Sequence, residues 1–539
     1  MPTLFTRHQF LALLVILVAA VASTGWAGTT PPALTEVVSG FASRNFKEKE
    51  AAAEAVAQSG EALAAPLLTA LLDGRLFLHK QDGRLIIANG TPTGSAPVDA
   101  LSGALLDSIP TGELKKITIN NSLRGRLKTL IARIYLTSAD PERRLAAVQS
   151  MYDDGGAERD DLLRELLRSE TKARIREAAT AVLALGGLKS EDPKRRQQAL
   201  EELAGNLDPM VFNEISRLAD TEEEPAIRAQ ARRLLTGIEQ KRAWFIRLET
   251  VFFGLSLGSV LVLAAIGLAI TFGVVGVINM AHGELIMIGA YTTYVLQQLL
   301  ADAAGLALIL AIPVAFIVSG LVGIAIERSV IRFLYGRPLE TLLATFGISL
   351  ILQQAVRSVF SPLNRSVATP EWLSGSIVIN PVLSLTTNRV VIFFFMLLVF
   401  ALLFLLLKKS ALGLHVRAVS QNRAMARAMG IRAARVDALT FGLGSGIAGI
   451  AGVALSQLTN VGPNLGQAYI VDSFMVVVFG GVGNLWGTLL GGLSLGVANK
   501  FLEPWSGAVL AKIVILVGII LFIQKRPQGL FPQRGRAAE

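Results

Sequence analysis

Val251-Phe-Phe-Gly-Leu-Ser-Leu-Gly-Ser-Val-Leu-Val-Leu-Ala-Ala-Ile-Gly-Leu-Ala-Ile-Thr-Phe-Gly273 contains no charged side chain. A helix needs roughly 20 apolar residues to cross about 30 Å of hydrocarbon, and this run is long enough. From Leu248 onward similar runs repeat, broken by glycines and short basic stretches. From Ala27 to Trp244 the composition is instead rich in Glu, Arg, Lys and Ala. A soluble helical half followed by a membrane half accounts for this asymmetry better than one globular fold. The expected fold is therefore all-α, a polytopic helical membrane domain preceded by a helical domain outside the cytoplasm.

Nine crossings are expected, at about 249–274, 283–300, 306–327, 340–360, 390–407, 437–458, 470–482, 485–502 and 508–524. The seventh is short and runs into Gly480-Gly-Val-Gly-Asn484, as a half-helix or re-entrant segment would. Arg328, Arg332 and Arg337, the stretch Lys408 to Arg435, and Lys525 to Arg536 are the basic connections. With nine crossings and the amino-terminal half outside, all three lie in the cytoplasm, as basic loops should. The connections 361–389 and 459–469 carry only Arg365 and Arg389. Lys241, Arg242 and Arg247 oppose the scheme, since they precede the first crossing on the outer side; a translocated domain overrides such local charge. The net charge of +10 thus reflects topology, and no nucleic-acid partner is expected. Membrane lipid is.

Met1 to Ala27 reads as a secretory signal: Arg7 and His8, an apolar core from Phe10 to Ala22, then Gly25-Trp26-Ala27. The expected domains are 1–27 signal peptide, 28–245 extracytoplasmic repeats, 246–530 membrane domain and 531–539 cytoplasmic tail. Within the second, Ser138-Ala-Asp-Pro-Glu-Arg-Arg144 recurs as Ser190-Glu-Asp-Pro-Lys-Arg-Arg196, an offset of 52. Ile175-Arg176 matches Ile227-Arg228 at the same offset. Each unit predicts three amphipathic helices, the first capped by Asp140 with Pro141 leading, then 160–169 and 172–185. Stacked units of this kind form a solenoid of HEAT or armadillo type. Leu76 to His79 and Leu85 to Ala88, flanking Gln81-Asp-Gly83, read as a small hairpin.

No catalytic constellation stands out. The chain has no Cys, and His79 is the one His of the amino-terminal half beyond the leader, so neither a thiolate nor a His-based metal site is expected there. No metal and no directly bound cofactor are expected. No Gly-x-x-x-x-Gly-Lys-Ser/Thr loop is present, so nucleotide phosphates lack their usual cradle in this chain.

Polar groups inside apolar segments are costly unless used or satisfied. In Gly273-Val-Val-Gly-Val-Ile-Asn279-Met-Ala-His282-Gly283-Glu284, an Asn, a His and a Glu lie beside helix-breaking glycines. That arrangement suits a discontinuous helix beside a solute path; a solvated turn between crossings explains it equally. Thr345, Ser349, Gln353 and Gln354 would line one side of crossing four, and Asn484 and Asn499 could face inward. Between Ser410 and Arg435, Gln421 to Met429 reads as a short cytoplasmic helix ended by Gly430. Arg423 and Arg427 share one face, with Met425 and Met429 forming an apolar patch. Such a helix docks into another protein or lies on the membrane surface.

The run 273–284 resembles the signature of the branched-chain amino acid ABC permease family, the LivH-type subunits. Ala411-Leu-Gly-Leu414, Arg417-Ala-Val-Ser-Gln-Asn-Arg423 and Ala426-Arg-Ala-Met-Gly-Ile431 are similar to that family's ATPase-coupling segment, and Phe479 to Thr488 to its other Gly-rich motif. The resemblance spans about 250 to 530. It implies a multi-pass inner-membrane permease that is not itself an enzyme, with ATP on partner subunits. The implied partners are a LivM-like second permease, two cytoplasmic ATPases and a periplasmic solute-binding protein. The polar groups within the apolar segments make Asn279, His282, Glu284, Thr345, Gln353, Asn484 and Asn499 the pathway candidates. His415, Arg417, Gln421, Asn422, Arg423, Met425, Arg427 and Met429 become the coupling helix. The fused amino-terminal domain resembles the architecture of the urea permease branch, which makes urea the expected solute, with branched-chain or other amino acids or short amides as the alternative. An ATP-independent channel or a membrane-anchored scaffold are the readings of a different class.

Overall fold

The structure, a computed structural model, describes residues 38–43, 45–59, 63–88, 97–106, 113–152, 157–301 and 303–531. The leader and nearly all of the expected tail lie outside the described residues. The chain divides into two compact units, Met1–Ile238 and Glu239–Glu539, close to the boundary expected at 245.

In the first unit, helices α1 (Phe46–Gln58) and α2 (Ala64–Leu72) precede a small antiparallel sheet of β1 (Leu76–His79), β2 (Leu85–Ile87), β3 (Val98–Asp99) and β4 (Leu114–Lys116), in the order β3-β2-β1-β4. The expected hairpin is present, Leu76 pairing with Ile87 and Leu78 with Leu85. The all-α expectation is corrected by the other two strands. At two and three residues, each is too short to show the alternation that marks a strand; β1, already paired in the hairpin, supplies the edge that orders β4. Leu67, Leu71, Leu76 and Leu127 form the core beneath.

Helix α3 (Asn121–Leu136) leads into two three-helix units: α4 (Pro141–Ser150), α5 (Ala157–Ser169) and α6 (Ala173–Leu188), then α7 (Pro193–Glu202), α8 (Pro209–Thr221) and the start of α9 (Pro225–Val275). Asp140 and Asp192 cap their helices by accepting from Glu142 N and Lys194 N, each at 3.0 Å. The 52-residue offset extends to a hydrogen-bond circuit. Arg144 donates to Glu170 and to the carbonyls of Ser138 and Ala139. Arg196 donates to Glu222 and to the carbonyls of Ser190 and Glu191. Each arginine thus ties the cap of one helix to the end of the next, and both carboxylates are buried.

The Arg144 hydrogen bonds hold the Glu170 carboxyl down at about 2, from an ordinary 4.5. A carboxylate lowered by folding contributes stability that is complete above its unfolded value and is lost as pH falls through the folded one. Amide exchange across α4 to α6, corrected for intrinsic rate, should therefore lose protection between pH 4.5 and about 2. Glu170→Gln should lower protection already at pH 6 and flatten this dependence; an unchanged profile would refute the assignment.

In the second unit, six helices among the described residues are long and apolar enough to cross a membrane by length and composition. They are α9, α11 (Ala304–Ser329, continued by a 3-10 turn to Phe333), α12 (Pro338–Phe360), α13 (Thr387–Lys409), α16 (Ala433–Ser456) and α18 (Leu485–Lys525). Helices α10 (His282–Leu299) and α17 (Leu465–Gly480), which the sequence pattern also marks as crossings, are not among the six. At 16 residues α17 is about 24 Å long, short of the hydrocarbon thickness. The expected boundary between crossings eight and nine coincides with a break inside α18 at Gly507, φ 77°, three residues after Pro504. The connection after α12 carries a hairpin of β5 (Ser376–Val378) and β6 (Ser384–Thr386).

The glycines of α16 bring backbones together. A Cβ on Gly289 of α10 would fall 2.0 Å from the Gly449 carbonyl oxygen, and one on Gly452 would fall 2.0 Å from that of Ile286. Helices α10, α11 and α16 form the tightly packed centre of this unit. Without a hydrophobic driving force in lipid, such close contact is what holds helices together.

Candidate functional site

Helix α9 stops at Val275 because Gly276 turns the chain with φ 73°. The following residues cross back into the protein before α10 begins at His282. Asn279 orders this turn, its Oδ1 accepting from Ala281 N at 3.0 Å. Asn279, His282 and Glu284 are all buried, at 0–1 % exposure. That overturns the solvated-turn reading of the segment. A ring nitrogen of His282 lies 2.9 Å from the Ala264 carbonyl of α9.

Facing α10, helix α12 carries Thr341, Thr345, Ser349, Gln353 and Arg357, four residues apart and hence on one face. The first four are buried. From Thr341 to Arg357 the stripe covers about 24 Å at 1.5 Å per residue. Thr345 Oγ1 accepts from Met280 N at 3.1 Å. Ser349 and Gln353 both donate to Glu284 Oε1, at 3.0 and 2.8 Å. Arg357 then donates to Gln353 Oε1 at 3.4 Å and to Asn464 Oδ1 at 2.7 Å. Asn464, at the start of α17, is exposed. A line of hydrogen-bonding groups therefore runs from a buried carboxylate to the surface. Gln354, one position around the helix, is exposed and lies off this face.

Four polar atoms along the α10 segment have no partner: Asn279 Nδ2, His282 Nδ1, Glu284 Oε2 and the Tyr291 hydroxyl. Buried polar atoms are nearly always satisfied, so a cluster of exceptions marks a place suited to a polar guest. Tyr291 is seven residues past Glu284, on the same face, and packs against Phe360 with ring centres 4.8 Å apart. An aromatic residue in an apolar helix gives no sequence signal that separates it from core; only its unpaired hydroxyl does.

Asn484 and Asn499 do not join this line. Asn484 caps α18, accepting from Trp486 N at 3.0 Å and donating to the Phe531 carbonyl at 3.2 Å. Replacing it by Ala should lower stability by about 1 kcal/mol and leave solute selectivity unchanged, which thermal melting and competition uptake would read. Asn499 lines a separate cleft of about 240 Å³, with Asp472, Lys500, Glu503 and Lys512. There Lys512 bonds Asp472 at 2.8 Å and Lys500 bonds Glu503 at 2.6 Å. Charges standing inside apolar runs are the sequence signal by which this cleft could have been found.

The expected helix over 421–429 is corrected to two pieces, α14 (Ala411–Gln421) and α15 (Arg423–Ala428). Asn422 separates them in an extended conformation and caps α15, accepting from Met425 N at 2.9 Å. An Asn side chain competes for backbone donors and so favours such a cap over the helix interior. Gly430 ends the segment as expected, with φ 87°. His415, Arg417, Gln421, Asn422, Met425, Arg427 and Met429 are exposed, with Met429 at 77 %. Arg423 is not. It bonds the buried Asp437 and lies over the Tyr335 ring at 4.6 Å.

Residues 250–523 match the family described as the permease component of the branched-chain amino acid transport system. The chain is 34 % identical over 294 residues to the high-affinity branched-chain amino acid transport permease BraD of Pseudomonas aeruginosa, covering 52 % of this chain and 95 % of that protein. It is 32 % identical over 293 residues to LivH of Escherichia coli, covering 52 % and 94 %. A shorter similarity, 30 % over 125 residues, links it to the ribose import permease RbsC of Bacillus subtilis, covering 21 % of this chain and 39 % of that one. No solved structure matches.

Proposed function

The chain belongs to the branched-chain amino acid transport system permease family, and from that premise we propose that it is the membrane-spanning subunit of an ABC importer for a small polar amide, urea first. The observation that carries this is the line from buried Glu284, Ser349 and Gln353 to the partly exposed Arg357, set among apolar helices. Its carboxylate, amide and hydroxyl groups are the types that hydrogen-bond the N–H and C=O groups of urea. The amino-terminal unit, which lies outside the matched residues, supports the urea branch over the plain branched-chain form.

In this reading the two three-helix units belong to a HEAT-type module on the periplasmic side that meets the solute-binding protein. The carboxyl terminus lies in the cytoplasm. ATP is hydrolysed on two partner subunits that dock on α14 and α15, and a LivM-like second permease completes the path. Polar residues of α10 and α12 form one wall of it.

The test is uptake of labelled urea and labelled leucine into proteoliposomes holding this chain with its permease partner, ATPases and binding protein. ATP-dependent urea uptake is expected. Leucine uptake alone would remove the urea reading in favour of branched-chain amino acids, the solutes named for its relatives. Uptake without the ATPases would remove the importer reading altogether.

A further inference from the structure

We infer that Arg423 is a positioning residue that ties the coupling segment to the buried ends of two membrane helices, while docking of the ATPase falls to the exposed Met425, Arg427 and Met429. This rests on the importer reading above.

Four segments meet at Arg423. Its guanidinium bonds Asp437, in the first turns of α16, whose side chain is fully buried. The same guanidinium covers the ring of Tyr335, in the connection between α11 and α12. The Tyr335 hydroxyl donates to Glu327 Oε1 at 2.7 Å, and Glu327, in the last turn of α11, is 1 % exposed. The phenol is a donor at neutral pH in any case, and burial, then the charge of Asp437 and the bond to Glu327, push it further above its ordinary range.

Glu327 and Asp437 each keep a second oxygen without a hydrogen bond. Arg328 lies near Glu327, with Nε at 3.7 Å and half exposed. Arg423 is the partly sheltered charge bonded to Asp437, with the exposed Arg427 acting on it from farther off, and it makes the burial of Asp437 tolerable. Removing one partner of a buried pair is costly because the other charge is left uncompensated. When α15 shifts, the start of α16 and the Tyr335 connection must follow or that cost is incurred. The breaks on either side, at Asn422 and Gly430, allow α15 to shift as a short unit.

The line continues to the solute site. Helix α11 meets α10 through Ser319, whose hydroxyl donates to the Leu285 carbonyl at 3.1 Å, next to Glu284. On α15 itself Arg427 makes no bond to Asp437 but is exposed beside Met425 at 60 % and Met429 at 77 %.

The assembled complex in proteoliposomes tests this, with urea and leucine as probes and three variants. Arg423→Gln should keep the ATPase subunits on co-purification yet reduce the ratio of solute-stimulated to basal hydrolysis about tenfold, a coupling change of about 1.4 kcal/mol. Arg423→Lys should recover part of the ratio. Arg423→Gln with Asp437→Asn removes both charges, so assembly should be normal even if the single variant folds badly, and the ratio should stay low. Loss of the ATPases from a folded Arg423→Gln chain would make Arg423 a docking residue and overturn the inference. So would an unchanged ratio, or full recovery in the double variant, which would leave a purely structural pair. A wild-type complex that neither probe stimulates would instead count against the importer reading itself.

Discussion

Glu284→Gln is expected to lower ATP-driven uptake by the assembled importer by about 100-fold while leaving the protein folded. The substitution conserves shape. Its amide oxygen can still accept from Ser349 and Gln353, which now meet Glu284 Oε1 at 3.0 and 2.8 Å, so neither donor is stranded. What changes is the outer atom: the unpartnered acceptor Oε2 becomes an NH2 donor, and the charge is lost. A hydrogen bond to a charged group is worth about 1.5–3 kcal/mol, and 100-fold corresponds to about 2.7 kcal/mol. Ser349→Ala, which removes one donor to the inner oxygen only, should cost less. Uptake within threefold of wild type for Glu284→Gln, at normal yield, would mean that the polar line is merely structural.

Gly289→Leu is expected to prevent stable assembly of the membrane unit. Even a Cβ there would lie 2.0 Å from the Gly449 carbonyl oxygen and 2.5 Å from its Cα. The obstacle is backbone, which cannot rotate aside, so α10 and α16 must separate. Overpacking in a filled core costs about 1–3 kcal/mol or more, and here it also breaks the close contact that replaces hydrophobic driving force in lipid. Gly237→Ala supplies the opposite sign. Gly237 lies in α9, and a Cβ added to it would meet nothing within 4 Å, so the change should stabilise by about 0.5–1 kcal/mol through helix propensity. Monodispersity after heating in detergent reads both. A Gly289→Leu chain that survives as well as wild type would show that α10 and α16 need not touch.

Some of this is visible in one dimension because it follows from local composition. Uncharged runs can be satisfied only by helices in lipid, so residues such as Val251 to Gly273 announce themselves. The 52-residue repeat is legible because Asp-Pro caps and Arg-Arg pairs recur at fixed places. The Arg144–Glu170 and Arg196–Glu222 circuits reuse those very residues. The four-residue stripe on α12 is readable down to Ser349 and Gln353, since helical period alone aligns them.

Other features have no local cause. Strands β3 and β4 exist because an edge is available to pair with, and Asn422 breaks the coupling segment because its side chain reaches Met425 N. Arg423 and Arg427 sit four apart and look equivalent in the sequence; only the nearness of Asp437 and Tyr335 turns one inward. Sequence alone determined that the second half is a membrane helix bundle, because the penalty for unsatisfied backbone in hydrocarbon applies residue by residue along the chain. Tertiary structure alone decided which polar groups meet. Glu284 and Gln353 are 69 residues apart, and a hydrogen bond depends on distance in space, which no local pattern encodes.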